Sequence, residues 1–293
     1  MAYVMANARC TVRRAAAALL ASCMTLTLAG CGQNPLAVSD VIGPRIVIGV
    51  TFDQPAMGLR KGSGYHGFNV AVAEYVAEKL GYASWQIVWE QAPEDERRSM
   101  LDDGDVDMIT GMYEDAADIT AGEKDSATLG YDFAGPYLAD RQDVMVLSRS
   151  DDSSDTSIGS LADLAGHKVC VIEGSETDAD LQRRLDGGIR LVRQPGATQC
   201  ATALLTGMVD AVAAPGSVLA GLADAEGGDR MRLLGLDFAE GGYGIGLRKG
   251  SDQLTARIRE AIEQMHADGS WDRAYDETLG AIGYDDGRGT DVH

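Results

Sequence analysis

Short apolar, β-branched runs alternate along the first half of the chain with stretches whose apolar residues recur at helical spacing. The runs at 45–50, 85–89 and 106–110 predict strands. Helices are predicted between them, at 68–80 and 94–102. This strand–helix–strand order is typical of α/β proteins whose sheet contains parallel strands.

The same order restarts after an acidic loop at 150–155, which a predicted strand at 143–147 precedes. The second series contains three predicted strands and two predicted helices, at 168–172, 188–192, 211–214, 178–185 and 197–206. A last strand and two helices close the chain, at 243–247, 253–268 and 271–279. About 250 residues are enough for one large domain or two medium ones, and the restarted order favours two α/β units.

The N-terminal 30 residues have the pattern of a signal peptide. The first 14 positions hold three arginines and no acid, and an apolar run follows at 15–28. That run is shorter than the roughly 20 residues of a membrane-spanning helix. It ends in Leu28-Ala29-Gly30-Cys31, which resembles a bacterial lipobox, so Cys31 is predicted to become the lipidated mature N-terminus. An ordinary secretory signal is the alternative, and both place the protein outside the cytoplasm.

Cysteine usage agrees with export. Two of the five cysteines fall within the signal peptide and a third is Cys31, which leaves Cys170 and Cys200. A single pair in an exported domain favours a disulfide over a metal site, because zinc takes four ligands and His167 alone is near in sequence.

The chain is strongly acidic. It has 25 basic and 45 acidic residues, a net charge of −20 that becomes −23 once the three signal arginines are removed. Such a surface argues against nucleic acid as a partner. The acids are dispersed, which is typical of a solvated surface.

Motifs for bound cofactors and for common catalytic sites are missing from the sequence. It has no Walker loop, no Rossmann fingerprint, no helical histidine pair for zinc and no Gly-x-Ser-x-Gly elbow. The glycine-rich segment 241–246 precedes a strand, so it does not fit a dinucleotide loop. We therefore predict binding rather than catalysis, with no cofactor and no metal.

Eight stretches, in this order and spacing, carry a family resemblance: 48–55, 67–70, 97–109, 132–137, 161–166, 170–177, 200–210 and 243–250. From about 45 to 283 the chain resembles the family 3 extracellular solute-binding proteins, in particular the glutamate-binding lipoproteins of amino-acid ABC importers. The resemblance implies a two-lobed type II periplasmic-binding-protein fold that closes on a small polar ligand. Relatives with cysteines at the places of Cys170 and Cys200 join them in a disulfide.

Domain boundaries follow from the same resemblance. Hinge strands are expected near 139–143 and 239–243. The predicted parts are a signal peptide at 1–30, a tether at 31–44, a first lobe at 45–138 plus 244–283, a second lobe with both hinges at 139–243, and a tail at 284–293. The implied function is capture of a glutamate-like amino acid and its delivery to an ABC permease and ATPase, from a lipid anchor in the membrane.

Five ligand-binding residues are implied by position. The loop before a helix at Gly174 and Ser175 can hold a carboxylate with its amides and hydroxyl. Phe52 and Asp53 match a ligand-facing loop, and Arg97 matches an arginine that meets an acidic side chain. Each has a plainer alternative: a helix cap for Ser175, ordinary packing for Phe52, and a surface helix position for Arg97.

The sequence departs from the family pattern around the expected amino-acid site. Where relatives carry an arginine for the ligand carboxylate, the segment 114–130 is longer and contains Lys124 as its one cation, so Tyr113 and Lys124 complete the candidate set. Ala213-Ala214-Pro215 stands where an ammonium-binding aspartate is expected, and Ala71 where another acid is usual. Candidate substitutes for the missing acid are Asp53, Glu114, Asp115, Asp118 and Glu173.

Two other functions stay open from the sequence. A relative that has lost transport would act as a sensor or as a partner of another envelope protein. A few relatives of this fold are dehydratases or cell-wall lyases, and Glu173 is then the candidate general acid. The alternative for Glu173 is a solvated loop acid, since nothing pairs with it in sequence.

Overall fold

One mixed sheet runs through the part of the chain that the computed structural model describes, residues 43–124, 129–148, 158–185 and 188–285. Twelve strands are present in these ranges: β1 Ile46–Val50, β2 Asp53–Gln54, β3 Gly58–Lys61, β4 Gly64–His66, β5 Ile87–Gln91, β6 Met108–Asp115, β7 Asp132–Leu147, β8 Lys168–Ile172, β9 Arg190–Gln194, β10 Ala211–Pro215, β11 Met231–Leu233 and β12 Ala239–Leu247. Nine of them form the main sheet, in the order β5-β1-β6-β12-β7-β10-β8-β9 with β11 on β7, and β2, β3 and β4 form a small separate sheet.

The α-helices of the same ranges are α1 Phe68–Lys79, α2 Arg97–Asp103, α3 Ala116–Lys124, α4 Glu176–Leu185, α5 Ala197–Leu205, α6 Gly216–Leu222, α7 Asp252–Ala267 and α8 Ser270–Glu277. Strand β1 pairs in parallel with β5 and β6, and β8 pairs in parallel with β9 and β10. The predicted α/β class with parallel strands is confirmed. No described helix has the length and apolar character needed to span a bilayer.

The chain crosses the middle of the sheet twice, in β7 and β12, which pair antiparallel with each other. The segments expected to be hinges lie in these two strands and face one another, since Ala239 pairs with Gln142 and Tyr243 with Leu138. Their role as hinges and the lobe boundaries stay predictions. The signal peptide, Cys31 and most of the tether lie outside the described residues.

Several elements differ from the sequence-based expectation. Strand β5 begins at Ile87 because Ser84–Gln86 forms a 3-10 turn in which Trp85 is 79% exposed. Strand β7 begins at Asp132, well before the predicted start at 143. The β2–β4 sheet and helices α3 and α6 were not predicted, because their short polar or glycine-containing sequences carry no clear periodicity.

Buried aromatic side chains fix β6 and β7 against the helices α1 and α8. The ring of Phe68 lies 5.3 Å from Trp271, whose indole N–H donates to the carbonyl of Tyr137 at 2.6 Å. The Tyr137 hydroxyl donates to Asn69 Oδ1 at 2.7 Å and accepts from the Gly111 amide at 2.9 Å. These bonds satisfy polar groups inside the core, and they hold the middle of β6 in place beside the cavity described next.

Candidate functional site

A cavity of about 310 Å³ lies between the C-terminal end of β6 and the loop that precedes α4. Its size suits a small ligand. One wall comes from residues between positions 94 and 131, and the facing wall from Gly174 and Glu176. The lining residues are Glu94, Arg97, Arg98, Met112, Tyr113, Glu114, Asp118, Leu129, Tyr131, Gly174 and Glu176.

The two walls meet beside this cavity. The Gly174 backbone lies directly against Asp95. A second contact joins Asp53 to the start of α5. Its carboxylate accepts from the Thr198 hydroxyl at 3.3 Å and from the Thr198 amide at 3.4 Å. Parts of the chain assigned by sequence to different lobes are therefore in direct contact.

Arg97 is buried, and its guanidinium is held by the protein itself. Its Nε donates to the carbonyl of Ala92 at 3.3 Å, and its Nη1 donates to the carbonyl of Gly111 at 3.0 Å. Its Nη2 lies 3.8 Å from Glu94 Oε1. Burial raises the pKa of Glu94, and the charge of Arg97 partly opposes that rise. The guanidinium thus ties α2 to β6 while it faces the cavity.

Arg98 is the second cation of the lining. It is exposed, and its guanidinium contacts Gly130. Within the described ranges it has no hydrogen bond or ion pair, in contrast to Arg97. A planar guanidinium with free donors is suited to bind a carboxylate in two-point fashion.

Three carboxylates converge on one side of the cavity. Single oxygen atoms of Glu114, Asp118 and Glu176 all lie within 4.8 Å of one another. Burial raises the pKa of Glu114 to about 8, and the neighbouring charges of Glu176 and Asp118 add to that rise. Burial likewise raises the pKa of both neighbours. A cation bound on this side of the cavity would therefore favour the ionised form of these carboxyl groups.

Arg183 neutralises part of this cluster from outside. Its Nη2 donates to Glu176 at 2.8 Å and to Asp180 at 2.6 Å, and lies 3.4 Å from Asp115. Its side chain is about half exposed. One guanidinium thus pairs with three acids, and Glu114, which is buried, is not among them.

The structure brings three of the predicted ligand residues together, since Arg97, Tyr113 and Gly174 all line the cavity. Phe52 and Asp53 do not line it. The Phe52 ring packs 5.2 Å from that of Tyr65, and Asp53 bonds Thr198 as described. Ligand-binding roles for these residues stay predictions.

Ser175 and Lys124 were also predicted to bind ligand. The Ser175 hydroxyl accepts from the Asp178 amide at 3.2 Å, which is the helix-cap geometry of the plainer alternative. Lys124 ends α3, and its side chain lies outside the described part of the structure. Glu173, the candidate general acid, is exposed and is not part of the lining.

Sequence reasoning missed several lining residues. Glu94 stands three positions before Arg97, and Glu176 directly follows Ser175, so both were adjacent to residues already singled out. Met112, Leu129 and Tyr131 carry no signal in the sequence. Glu114 and Asp118 had been named only as possible substitutes for a missing acid, and both line the cavity.

Comparison with known proteins decides the family. The model of the bacterial extracellular solute-binding proteins, family 3, matches residues 46–281. The chain belongs to this family. It is 31% identical to the glutamate-binding protein GluB of Corynebacterium efficiens, over 94% of each chain. It is 33% identical to GluB of Corynebacterium glutamicum, over 94% of this chain and 93% of that protein.

Solved structures agree with the fold. An ancestral arginine-binding protein bound to arginine superposes with a TM-score of 0.68 at 25% identity, covering 81% of this chain and 99% of that one. An ancestral arginine-binding protein bound to glutamine gives a TM-score of 0.69 at 24% identity, covering 82% of this chain and 100% of that one. The predicted type II periplasmic-binding-protein fold is confirmed. Membership in an extracellular family also places the protein outside the cytoplasm.

Proposed function

We propose that this chain is the substrate-binding component of an ABC importer for an amino acid. One observation carries the proposal: in a member of the solute-binding family, a cavity of about 310 Å³ lies between two parts of the chain and is lined by charged groups of both signs. A zwitterionic solute needs both signs in one site. The loaded protein then passes its ligand to the permease and ATPase.

Hinge closure couples binding to delivery. Residues on both walls, such as Arg97 and Gly174, line the same cavity, so a ligand gains its full set of contacts only when the walls meet. Such a ligand binds the closed form more tightly than the open form, and this difference in affinity shifts the population toward the closed form. Strands β7 and β12, where the chain crosses the middle of the sheet, are the proposed hinges.

A glutamate-like ligand is the proposed cargo. The two GluB relatives are named as glutamate-binding proteins. Within the cavity, the unpaired guanidinium of Arg98 and the amides at the start of α4 are suited to the carboxylates of such a ligand. The acidic side of the cavity is suited to its ammonium group.

Two covalent features complete the proposal. Cys31 anchors the exported protein to the membrane through a lipid. Cys170 on β8 and Cys200 on α5 form a disulfide, because they lie at disulfide distance with Cα atoms 5.5 Å apart. An extracytoplasmic compartment permits such a bond.

Thermal unfolding of the purified protein in the presence of individual amino acids tests the function. A ligand at 100 times its Kd adds about 2.7 kcal/mol to the free energy of unfolding. We expect glutamate or a close analogue to raise the melting temperature, and a neutral sugar to leave it unchanged. If no amino acid raises it while the protein is folded, the importer proposal is wrong and a sensor or partner role takes its place.

A further inference from the structure

We propose that Glu114, Asp118 and Glu176 form an ammonium-binding subsite, so that the solute held in the cavity carries a protonated amine. The inference rests on the proposed function, because it concerns the same cavity. It assigns the ammonium-binding role to three residues of this chain. An acid for that role was expected at 213–215, where the sequence has none. In the structure those three positions lie buried in β10.

The geometry fits an ammonium group. Because the three oxygen atoms lie within 4.8 Å of one another, a nitrogen placed between them lies no more than about 2.8 Å from each. That is a normal hydrogen-bond distance. A primary ammonium has three N–H donors and no acceptor, which matches three carboxylate acceptors.

Glu114 supplies the second, independent observation. Its side chain is only 8% exposed, lines the cavity, and has no hydrogen bond or ion pair among the described residues. Arg97, whose charge opposes the rise in the pKa of Glu114, donates to the carbonyls of Ala92 and Gly111. A buried carboxyl without a partner is unfavourable when ionised, and a ligand cation would relieve that cost.

The three acids also come from both walls. Glu114 is near the end of β6 and Asp118 is in the first turn of α3, whereas Glu176 begins α4. An ammonium that bridges them contacts both proposed lobes at once. Recognition of the amine therefore favours the closed form by itself.

A divalent cation is the competing occupant of such a cluster. Calcium takes six to eight oxygen ligands at about 2.3–2.6 Å. The cavity offers three clustered carboxylates, and the guanidinium groups of Arg97 and Arg98 line it as well. These two positive charges, together with that of Arg183 on Glu176, disfavour a dication more than a singly charged ammonium.

Calorimetric titration of the purified protein separates the possibilities. The probes are glutamate, glutarate, 1,4-diaminobutane and calcium chloride. Glutarate is glutamate without its amine, so we expect it to bind at least tenfold more weakly. Replacement of Glu114→Gln or Asp118→Asn should weaken glutamate at least tenfold, whereas Glu263→Gln, an exposed acid on α7, should not. Melting temperatures confirm that each variant is folded.

The outcomes distinguish the ammonium subsite from the proposed amino-acid function on which it rests. If glutarate binds as tightly as glutamate, or if Glu114→Gln binds as the unmodified protein does, the subsite is wrong while amino-acid binding stands. If 1,4-diaminobutane binds and no amino acid does, the subsite stands and the amino-acid function is wrong. Calcium binding that is lost in Glu114→Gln, without any amine binding, overturns the subsite, and a blank with all four probes overturns both proposals.

Discussion

Gly174 lies so close to Asp95 that no side chain fits between them. A Cβ atom at position 174 would stand 2.6 Å from the Asp95 Cα, and the backbone of Gly174 has φ = +76°. The loop before α4 therefore meets the segment before α2 backbone to backbone. This contact borders the cavity, because Gly174 and Glu94 both line it.

Replacement of Gly174→Ala should weaken ligand binding about tenfold or more, because the added methyl group keeps the two walls apart. Gly207→Ala is the matched control, since Gly207 has φ = +70° and an added Cβ there would meet nothing within 4 Å. Both variants should lose about 1 kcal/mol of unfolding free energy for the positive φ. Calorimetry with glutamate checks the difference, and equal affinities for the two variants would contradict it.

Substitutions at Arg97 and Arg98 should separate effects on stability from effects on ligand binding. Arg97→Lys should lower the free energy of unfolding by roughly 2 kcal/mol, because lysine cannot reach both Ala92 and Gly111 with the same fork. Arg98→Lys should leave stability within about 0.5 kcal/mol, since this side chain is exposed. Urea unfolding measures both.

The same pair has a distinct outcome in binding. Because Arg98 has free donors at the cavity, Arg98→Gln should weaken glutamate severalfold or more while the protein keeps its stability. A glutamate affinity that is unchanged in Arg98→Gln would remove Arg98 from the carboxylate site. Arg190→Gln, an exposed position on the edge strand β9 outside the cavity lining, serves as the control.

The fold was largely predictable because its strands are buried apolar runs between turn residues. Strand β8 was predicted with its observed bounds of 168–172, and all four predicted helices in and after the second unit correspond to observed helices. Strand β7 was predicted too short because Gly135 and Pro136 interrupt its apolar pattern, although β12 still pairs beyond them, at Ala134. Pairing with β12 determines the length of β7, and the apolar periodicity of the sequence contains no information about that pairing.

The site was less predictable than the fold. Arg97 and Gly174 are implied by the resemblance and Tyr113 completes the candidate set, and the structure brings all three to one cavity. The convergence of Glu114 with Glu176 could not be foreseen, because the two lie about 60 positions apart and meet only through the folding of α4 against β6. Local pattern shows that a residue is polar, but it does not show which other residue it faces.

The proposed bond between Cys170 and Cys200 should stabilise the protein against unfolding. Their separation of 30 residues corresponds to about 3 to 4 kcal/mol in the chain-entropy description of a disulfide. A reductant should therefore lower the urea midpoint of the unmodified protein. The double variant Cys170→Ala/Cys200→Ala should be insensitive to reductant, and a midpoint of the unmodified protein that reductant does not change would show that the bond is absent.

The raised pKa of Glu114 predicts how stability depends on pH. Burial, with Glu176, Asp118 and Asp115 nearby and Arg97 opposing them, raises the pKa of this carboxyl to about 8 from 4.5. Between these values the folded protein holds a proton that the unfolded chain has released. The ligand-free protein should therefore lose unfolding free energy as pH rises from about 5 to about 8, by roughly 2 to 4 kcal/mol from this group.

Glu114→Gln removes that contribution, because an amide does not titrate. The variant should be more stable than the unmodified protein at pH 8 and similar to it at pH 4, whereas Glu263→Gln should follow the unmodified protein throughout. Ligand binding has the opposite trend, since an ammonium is held by the ionised form, so glutamate affinity should rise with pH up to about 8 and this rise should vanish in Glu114→Gln. Urea unfolding and calorimetry at several pH values test both trends, and parallel pH profiles for the variant and the unmodified protein would show that Glu114 does not titrate in this range.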